Sequence, residues 1–213
     1  MAKIDEVYEY LRGNFELNEP IFLSDINISG MDPAVMRQQI KKLTDDGRLK
    51  RFDTGIYYMP KNSIFRSGST LSVDEIIRRK YLINGSERCG YMSGMRFANQ
   101  LGLTSQVSSV YEIYTNKATK DYRETKIGNL KVILRKPYVR VDEQNVMILQ
   151  FLDLLKEVMD ISEIEGSELT STLVGYMRKK GIDFDAMRHY FSFYPERIYK
   201  NMYEVGLLNG IST

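Results

Sequence analysis

The sequence predicts an α+β protein: an N-terminal winged helix-turn-helix, then a small mixed α/β domain with a helical C-terminal end after about residue 143. Three observations favour this class. The first 60 residues show three helical segments followed by a short hairpin pattern. The middle of the chain contains β-branched and aromatic segments typical of strands. The residues after Pro137 show the periodicity of amphipathic helices.

The first two helices of the N-terminal domain are predicted from apolar spacing and capping residues. Apolar side chains fall on one helical face over residues 3–12, and Gly13 and Asn14 can end that helix in the left-handed conformation. A short apolar stretch then meets Ser24 and Asp25, either of which can cap a brief second helix.

The third helix and the hairpin carry the strongest local signals. Asp32 followed by Pro33 is a typical cap and first position of a helix, and Gly47 closes it. Residues 48–52 and 56–59 then alternate around a turn, as in a hairpin. This order favours a winged helix-turn-helix over a generic three-helix bundle. The core predicted for this domain contains Val7, Leu11, Ile26, Met36, Ile40, Leu43 and Tyr57.

The domain boundaries follow from composition. Residues 1–65 form the winged helix domain, the polar stretch 66–70 is a linker, and residues 71–213 form the second domain. Helices are predicted in the second domain over residues 72–81, 93–101, 143–159, 168–180, 183–191 and 196–207, and strands over 110–114, 126–127 and 130–134.

Charge is unevenly distributed along the 213 residues. Residues 1–66 are neutral, residues 67–142 carry thirteen Lys and Arg against seven Asp and Glu, and residues 143–213 carry seven against eleven. The basic middle segment is either a solvated charged face or a contact surface for nucleic acid or an acidic partner.

Several classes of protein and of site are disfavoured by the sequence. No apolar run approaches the roughly 18 residues of a membrane span, and the acidic N-terminal segment is unlike a secretion signal. A single cysteine, Cys89, excludes an intramolecular disulfide and a cysteine-based zinc cage. We therefore expect a cytoplasmic protein in which Cys89 is a small, half-buried side chain.

Catalytic patterns are not apparent. A Ser/His/Asp or Cys/His catalytic unit would have to use the one histidine, His189, and no nucleophile lies in a recognisable setting for such a unit. The phosphate-binding patterns GxxxxGK[ST] and GxGxxG do not occur either. The acidic pairs at 45–46 and at 163 and 165 resemble solvated surface groups. We expect no catalytic residues, no cofactor and no metal, although a nuclease built from dispersed acids remains an alternative.

Long polar and cationic side chains concentrate between residues 37 and 51, where six of fifteen are Lys or Arg and two are Asp. Arginine can donate two hydrogen bonds to guanine, and glutamine can form two hydrogen bonds with adenine. The cations of the hairpin can contact the backbone phosphates beside the groove. A winged helix used for protein contact is the alternative. The predicted DNA-binding residues are Arg37, Gln38, Lys41, Lys42, Arg48, Lys50 and Arg51.

Four segments carry a family resemblance: GRLKR leading to GIYYMP within 47–60, GYMSG at 90–94, LGLTSQV at 101–107 and YTNK at 114–117. In these segments the chain resembles the AbiE-type antitoxin regulators of abortive-infection toxin–antitoxin systems. It departs from them at Ser108, where a proline is common.

The resemblance implies a repressor that binds double-stranded promoter DNA of its own two-gene operon. It also implies a C-terminal domain that counteracts a nucleotidyltransferase-like toxin without a stable complex. The alternatives are a stand-alone winged-helix regulator without a toxin and an unrecognised nuclease. From charge, and not from the family, we expect one C-terminal basic face for a polyanion, formed by Arg88, Arg96, Lys117, Lys120, Arg123, Lys131 and Arg135.

Overall fold

The computed structural model describes residues 2–61 and 69–208. Its chain divides into two compact units, Met1–Arg79 and Lys80–Thr213. Helices and strands occur in both units, which confirms the α+β class predicted from the sequence. The predicted linker over residues 66–70 lies outside the described residues except for its last two.

The first unit contains α1 (Lys3–Asn14), β1 (Ile21–Phe22), α2 (Pro33–Asp45), β2 (Lys50–Asp53), β3 (Ile56–Tyr58) and α3 (Val73–Ile77). Its strands form an antiparallel sheet in the order β1-β3-β2. The β2–β3 hairpin predicted from the sequence is therefore confirmed, and β1 extends it by one short strand.

The first two helical segments differ in part from the prediction. The first helix ends at Asn14, as predicted, but neither Gly13 nor Asn14 adopts the left-handed backbone, and the chain leaves the helix through the extended residue Phe15. The brief second helix is a three-residue 3-10 turn, Leu23–Asp25, since β1 precedes it directly and Ile26 returns to extended backbone.

The predicted limits of α2 are confirmed. The Asp32 carboxylate accepts hydrogen bonds from the backbone N–H groups of Ala34 at 2.7 Å and Val35 at 3.4 Å, which caps the helix. Gly47 follows the helix with φ of +80°, a conformation that costs other residues energy. One face of the helix is buried and consists of Met36, Gln39, Ile40 and Leu43.

The division between the units differs from the predicted domain boundary, because α3 belongs to the first unit and not to the second. The guanidinium of Arg79, just after this helix, pairs with the carboxylate of Glu19. Arg79 also donates a hydrogen bond to the carbonyl of Pro20 at 3.1 Å. These contacts hold the chain at residue 79 against the segment that leads into β1.

The second unit contains β4 (Ile83–Asn84), β5 (Glu87–Arg88), β6 (Gly90–Ser93), α4 (Gly94–Gln100), β7 (Val110–Thr115), β8 (Tyr122–Ile127), β9 (Leu130–Arg135), α5 (Val146–Ile161), α6 (Gly166–Lys180), α7 (Phe184–Arg188) and α8 (Arg197–Glu204). Its main sheet has the order β6-β7-β9-β8, with β7 and β9 parallel and the other pairs antiparallel. The strands predicted near 110–114, 126–127 and 130–134 are confirmed, whereas β4, β5 and β6 were not predicted.

The core of the second unit surrounds α5, whose Leu149, Leu152, Leu155 and Val158 have no solvent exposure. It includes Tyr91 and Tyr114 of the sheet together with buried side chains of α4, α6, α7 and α8. The sheet also approaches other backbone closely at Gly90. A Cβ atom there would lie within 2.6 Å of the carbonyl oxygens of Tyr114 and Tyr81, so only glycine fits.

Ile40→Asp in a fragment of residues 1–79 should destabilise it by several kcal/mol, because an unpaired charge would enter a core position that is 1% exposed. Urea unfolding of the fragment measures the change, and the matched control is Gln38→Asp on the exposed face of the same helix. Equal stability of the two variants would contradict the proposed core.

Candidate nucleic-acid interface

The exposed face of α2 carries four of the seven predicted DNA-binding residues: Arg37, Gln38, Lys41 and Lys42. Residues 37 and 41, and likewise 38 and 42, are one turn apart, so the four side chains form two adjacent rows. Within residues 2–61 and 69–208, none of the three cations forms an ion pair. Their charges are therefore available to an external anion.

Two further predicted residues lie on the hairpin. Lys50 on β2 is half-buried and pairs in register with Tyr58. Arg51 is exposed, and its guanidinium donates to the carbonyl of Asp53 at 3.3 Å and to the hydroxyl of Thr54 at 3.0 Å. Arg51 thus holds the hairpin turn while most of its side chain faces solvent.

Arg48, the seventh predicted residue, is held by partners in its own unit. Its guanidinium donates two hydrogen bonds to the Asp46 carboxylate at 2.7 and 2.9 Å and lies 3.6 Å from Asp5. It also stacks on the ring of Tyr8 at 5.0 Å. The hydrogen bond from Arg48 lowers the pKa of Asp46. Arg48 therefore connects α1 to the end of α2, and less of its charge is available to a phosphate.

The seven basic residues expected to form one C-terminal face do not share a face. Arg123 on β8 pairs with Leu134, whereas Lys131 and Arg135 occupy alternate positions of β9 and point to the opposite side of the sheet. Arg135 stacks on Tyr122, from the same side of the sheet. The expectation failed because it grouped residues by sequence distance, while the alternation of strand side chains separates them.

Two of the remaining four lie elsewhere. Arg96 on α4 stacks on the ring of Tyr111 at 3.8 Å and donates to the carbonyl of Ser108 at 2.9 Å. Lys120 is exposed in the turn between β7 and β8. Neither lies in the pocket described next.

Arg88 and Lys117 do come together, on the wall of an open pocket of about 640 Å³. We call it the Lys117 pocket. It is lined by Asn84, Glu87, Arg88, Cys89, Asn116, Lys117, Arg140, Val141, Asp142, Glu143 and Gln144. Sequence reasoning missed Arg140, because only the fold brings the segment before α5 to the end of β7.

Hydrogen bonds fix one wall of the Lys117 pocket. The Lys117 ammonium donates to the carbonyls of Lys80 at 3.1 Å and Ile83 at 2.7 Å. The Asn116 side chain donates to the Val141 carbonyl at 2.8 Å and accepts from the Val141 N–H at 2.9 Å. The positions of these side chains are thus set by backbone groups.

A buried polar network, which no pattern in the sequence predicted, lies between α5 and the sheet. The Tyr91 hydroxyl donates to the carboxylate of Asp153, whose side chain is fully buried. The Lys156 ammonium lies 3.0 Å from Asp153 and 2.7 Å from the hydroxyl of Tyr114. Burial by itself would lower the pKa of Lys156, but the attraction of Asp153 and Tyr114 outweighs this effect and raises the pKa above its ordinary value. The ammonium therefore stays charged. An aspartate within the leucine-rich stripe of α5 was the available signal.

The remaining singled-out residues have separate environments. Cys89 is buried, more deeply than expected, and burial raises the pKa of its thiol. His189 is exposed at the end of α7. Over the described ranges, no group of three or more His, Cys, Asp or Glu is placed to hold a metal ion. Nor does any helix in those ranges have the length and apolar composition that crossing a membrane requires.

The loop after α4, which carries the LGLTSQV segment, is tied to Glu163. This carboxylate accepts hydrogen bonds from the Ser105 N–H at 2.6 Å, the Ser105 hydroxyl at 2.9 Å and the Gln106 amide at 2.9 Å. These bonds lower the pKa of Glu163 to about 2. The loop is thus anchored by a carboxylate that the sequence suggested was merely solvated.

No protein-family model and no curated protein matches the chain.

Glu163→Ala should lower the thermal stability most above about pH 4.5, the ordinary pKa of the carboxyl group. Because the folded-state pKa is depressed, the ionised group stabilises the fold above that pH and loses this effect as the pH falls toward 2. The melting temperatures of the wild type and of Glu163→Ala, recorded between pH 2 and pH 7, measure the difference. Glu165→Ala, a nearby exposed carboxylate, is the control. A difference that does not shrink with falling pH would contradict the assignment.

Proposed function

We propose that the protein is an antitoxin and transcriptional autorepressor whose first unit binds promoter DNA as a winged helix. The observation that carries this proposal is the exposed face of α2, with Arg37, Gln38, Lys41 and Lys42 free of internal ion pairs among the described residues. Cations of this kind attract phosphates, and the arginine and glutamine can recognise base edges.

The elements of the first unit are compatible with docking in a groove. α2 is a 13-residue helix, about 20 Å long, which the major groove of B-DNA can admit. The β2–β3 hairpin follows it directly and brings Lys50 and Arg51 as candidate phosphate contacts. A 3-10 turn occupies the place of the usual second helix, so in this proposal α1 and the turn support α2.

The antitoxin part of the proposal depends on the family resemblance. Two segments that carry it, 90–94 and 114–117, are neighbours in space, because Tyr91 pairs with Tyr114 across β6 and β7. The Asn116 N–H also donates to the Cys89 carbonyl at 2.8 Å. Segments that are distant in sequence but adjacent in the fold support one shared role. In this proposal the second unit counteracts a nucleotidyltransferase-like toxin, without a stable complex and without a catalytic step of its own.

Lys41→Glu should weaken binding to promoter and unrelated DNA alike and reduce the slope of log affinity against log salt by about one unit or more. Arg37→Ala should instead cost roughly 1–3 kcal/mol and act mainly on the promoter. Fluorescence anisotropy with the upstream promoter fragment measures both effects. Lys180→Glu, at the exposed end of α6, is the control. Wild-type affinity in both test variants would exclude this surface.

His189→Ala and Cys89→Ala should preserve the rescue of cells that express the toxin gene adjacent to this one, because the proposed neutralisation needs no nucleophile or general base. Growth after toxin induction is the measurement, with protein abundance followed by immunoblot. A folded, abundant variant of either kind that no longer rescued growth would overturn the non-enzymatic mechanism. Absence of any toxic neighbouring gene would instead favour a stand-alone winged-helix regulator.

A further inference from the structure

The Lys117 pocket has the size of a small-molecule site. Its volume of about 640 Å³ lies within the range of roughly 300–1,000 Å³ that ligand pockets occupy. All of its walls belong to the second unit, and the reciprocal Asn116–Val141 hydrogen bonds join two of them. The pocket is therefore largely formed before any ligand enters.

The lysine on its wall is held ready to bind an anion. An ammonium group has three N–H donors, and Lys117 uses two of them on the carbonyls of Lys80 and Ile83. No carboxylate in the described part of the chain forms an ion pair with Lys117, so the third donor and the positive charge remain for a ligand. Because the carbonyls fix the ammonium, binding costs little further side-chain entropy.

Two arginines extend the cationic part of the pocket. Arg140 is exposed, and within the described ranges its side chain forms no ion pair or hydrogen bond. In the part of the chain that the structure describes, the one ion pair of Arg88 is a long contact of 3.9 Å with Glu143. Guanidinium groups donate in a fork that matches phosphate oxygens, and a lysine adds a point charge.

The acids of the pocket restrict the class of ligand. Asp142 is occupied, because its carboxylate accepts hydrogen bonds from the N–H groups of Gln144 and Asn145 at 2.9 Å. Glu87 and Glu143 are exposed and can accept hydrogen bonds from ligand hydroxyl groups. The pocket lining contains three cationic and three acidic side chains, so its net charge is close to zero. This balance disfavours a polyanion such as DNA and favours a small molecule that carries one phosphate group and several hydroxyl groups.

We propose that the Lys117 pocket binds a small phosphate monoester that carries free hydroxyl groups, of the sugar-phosphate class. Lys117, Arg140 and Arg88 bind the phosphate, and Glu87 and Glu143 accept hydrogen bonds from the hydroxyls. This site does not depend on DNA binding by the first unit.

Isothermal titration calorimetry of the full chain tests the site with ribose 5-phosphate, ribose and inorganic phosphate as probes. Ribose 5-phosphate should bind more tightly than either part alone. Lys117→Met and Arg140→Gln should each weaken its binding about tenfold or more, since each removes a charge-assisted contact. Lys120→Met, an exposed lysine outside the pocket, should leave binding unchanged.

Thermal melts of each variant separate loss of binding from loss of fold. Arg140→Gln remains informative even if Lys117→Met unfolds, because within residues 2–61 and 69–208 the Arg140 side chain forms no hydrogen bond or ion pair. The proposal is overturned if ribose 5-phosphate does not bind, if ribose binds as tightly, or if folded Arg140→Gln binds like wild type. Since the assay contains no DNA, its failure would leave the promoter-binding proposal standing.

Discussion

The second unit is organised around one carboxylate, that of Asp153, which lies among the leucines of α5 where an uncompensated charge would cost several kcal/mol. Tyr91 of β6 donates to it, and Lys156, one turn further along the helix, supplies the opposite charge. Lys156 also donates to Tyr114 of β7, so the helix is linked to two neighbouring strands by polar contacts. Leucines alone tolerate small shifts of a helix over a sheet, whereas this network is satisfied only when α5 lies at one position relative to β6 and β7.

Fixing α5 against β7 also determines what lies at the ends of both elements. The turn after β7 carries Asn116 and Lys117, and the segment that leads into α5 carries Arg140 and Val141. The Asn116–Val141 hydrogen bonds join these two segments on one side of the network. The walls of the pocket therefore follow from the same constraint as the core, to which Val141 of the pocket wall also belongs.

Local sequence signals predicted much of this fold. The features that were not predicted depend on contacts between residues far apart in the sequence. Asp32, Pro33 and Gly47 define α2 within one short stretch of sequence, and apolar periodicity defines α5. The assignment of α3 to the first unit is accompanied by the non-local ion pair of Arg79 with Glu19, 60 positions earlier, for which no local sequence pattern exists. The parallel pairing of β7 with β9 is likewise non-local. Which cations share a face is decided by the register of β8 with β9 and by the alternation of their side chains. Only Arg88 and Lys117 of the predicted basic face meet in the pocket, and the third cation, Arg140, lay outside the prediction.

The difference between local sequence signals and contacts in the fold also applies to the proposed DNA-binding surface. Residues 1–66 have no net charge, yet contacts within the first unit distribute the charged side chains unequally over its surface. Asp46 and Asp5 engage Arg48, and Glu9 of α1 engages Arg12, so these acids neutralise cations away from the exposed face of α2. Lys41 lies on that face without an ion pair in the described residues, and an external phosphate there would replace solvent and not an internal carboxylate. A neutral unit can therefore present a cationic helix face, because its acids are placed where they stabilise the fold.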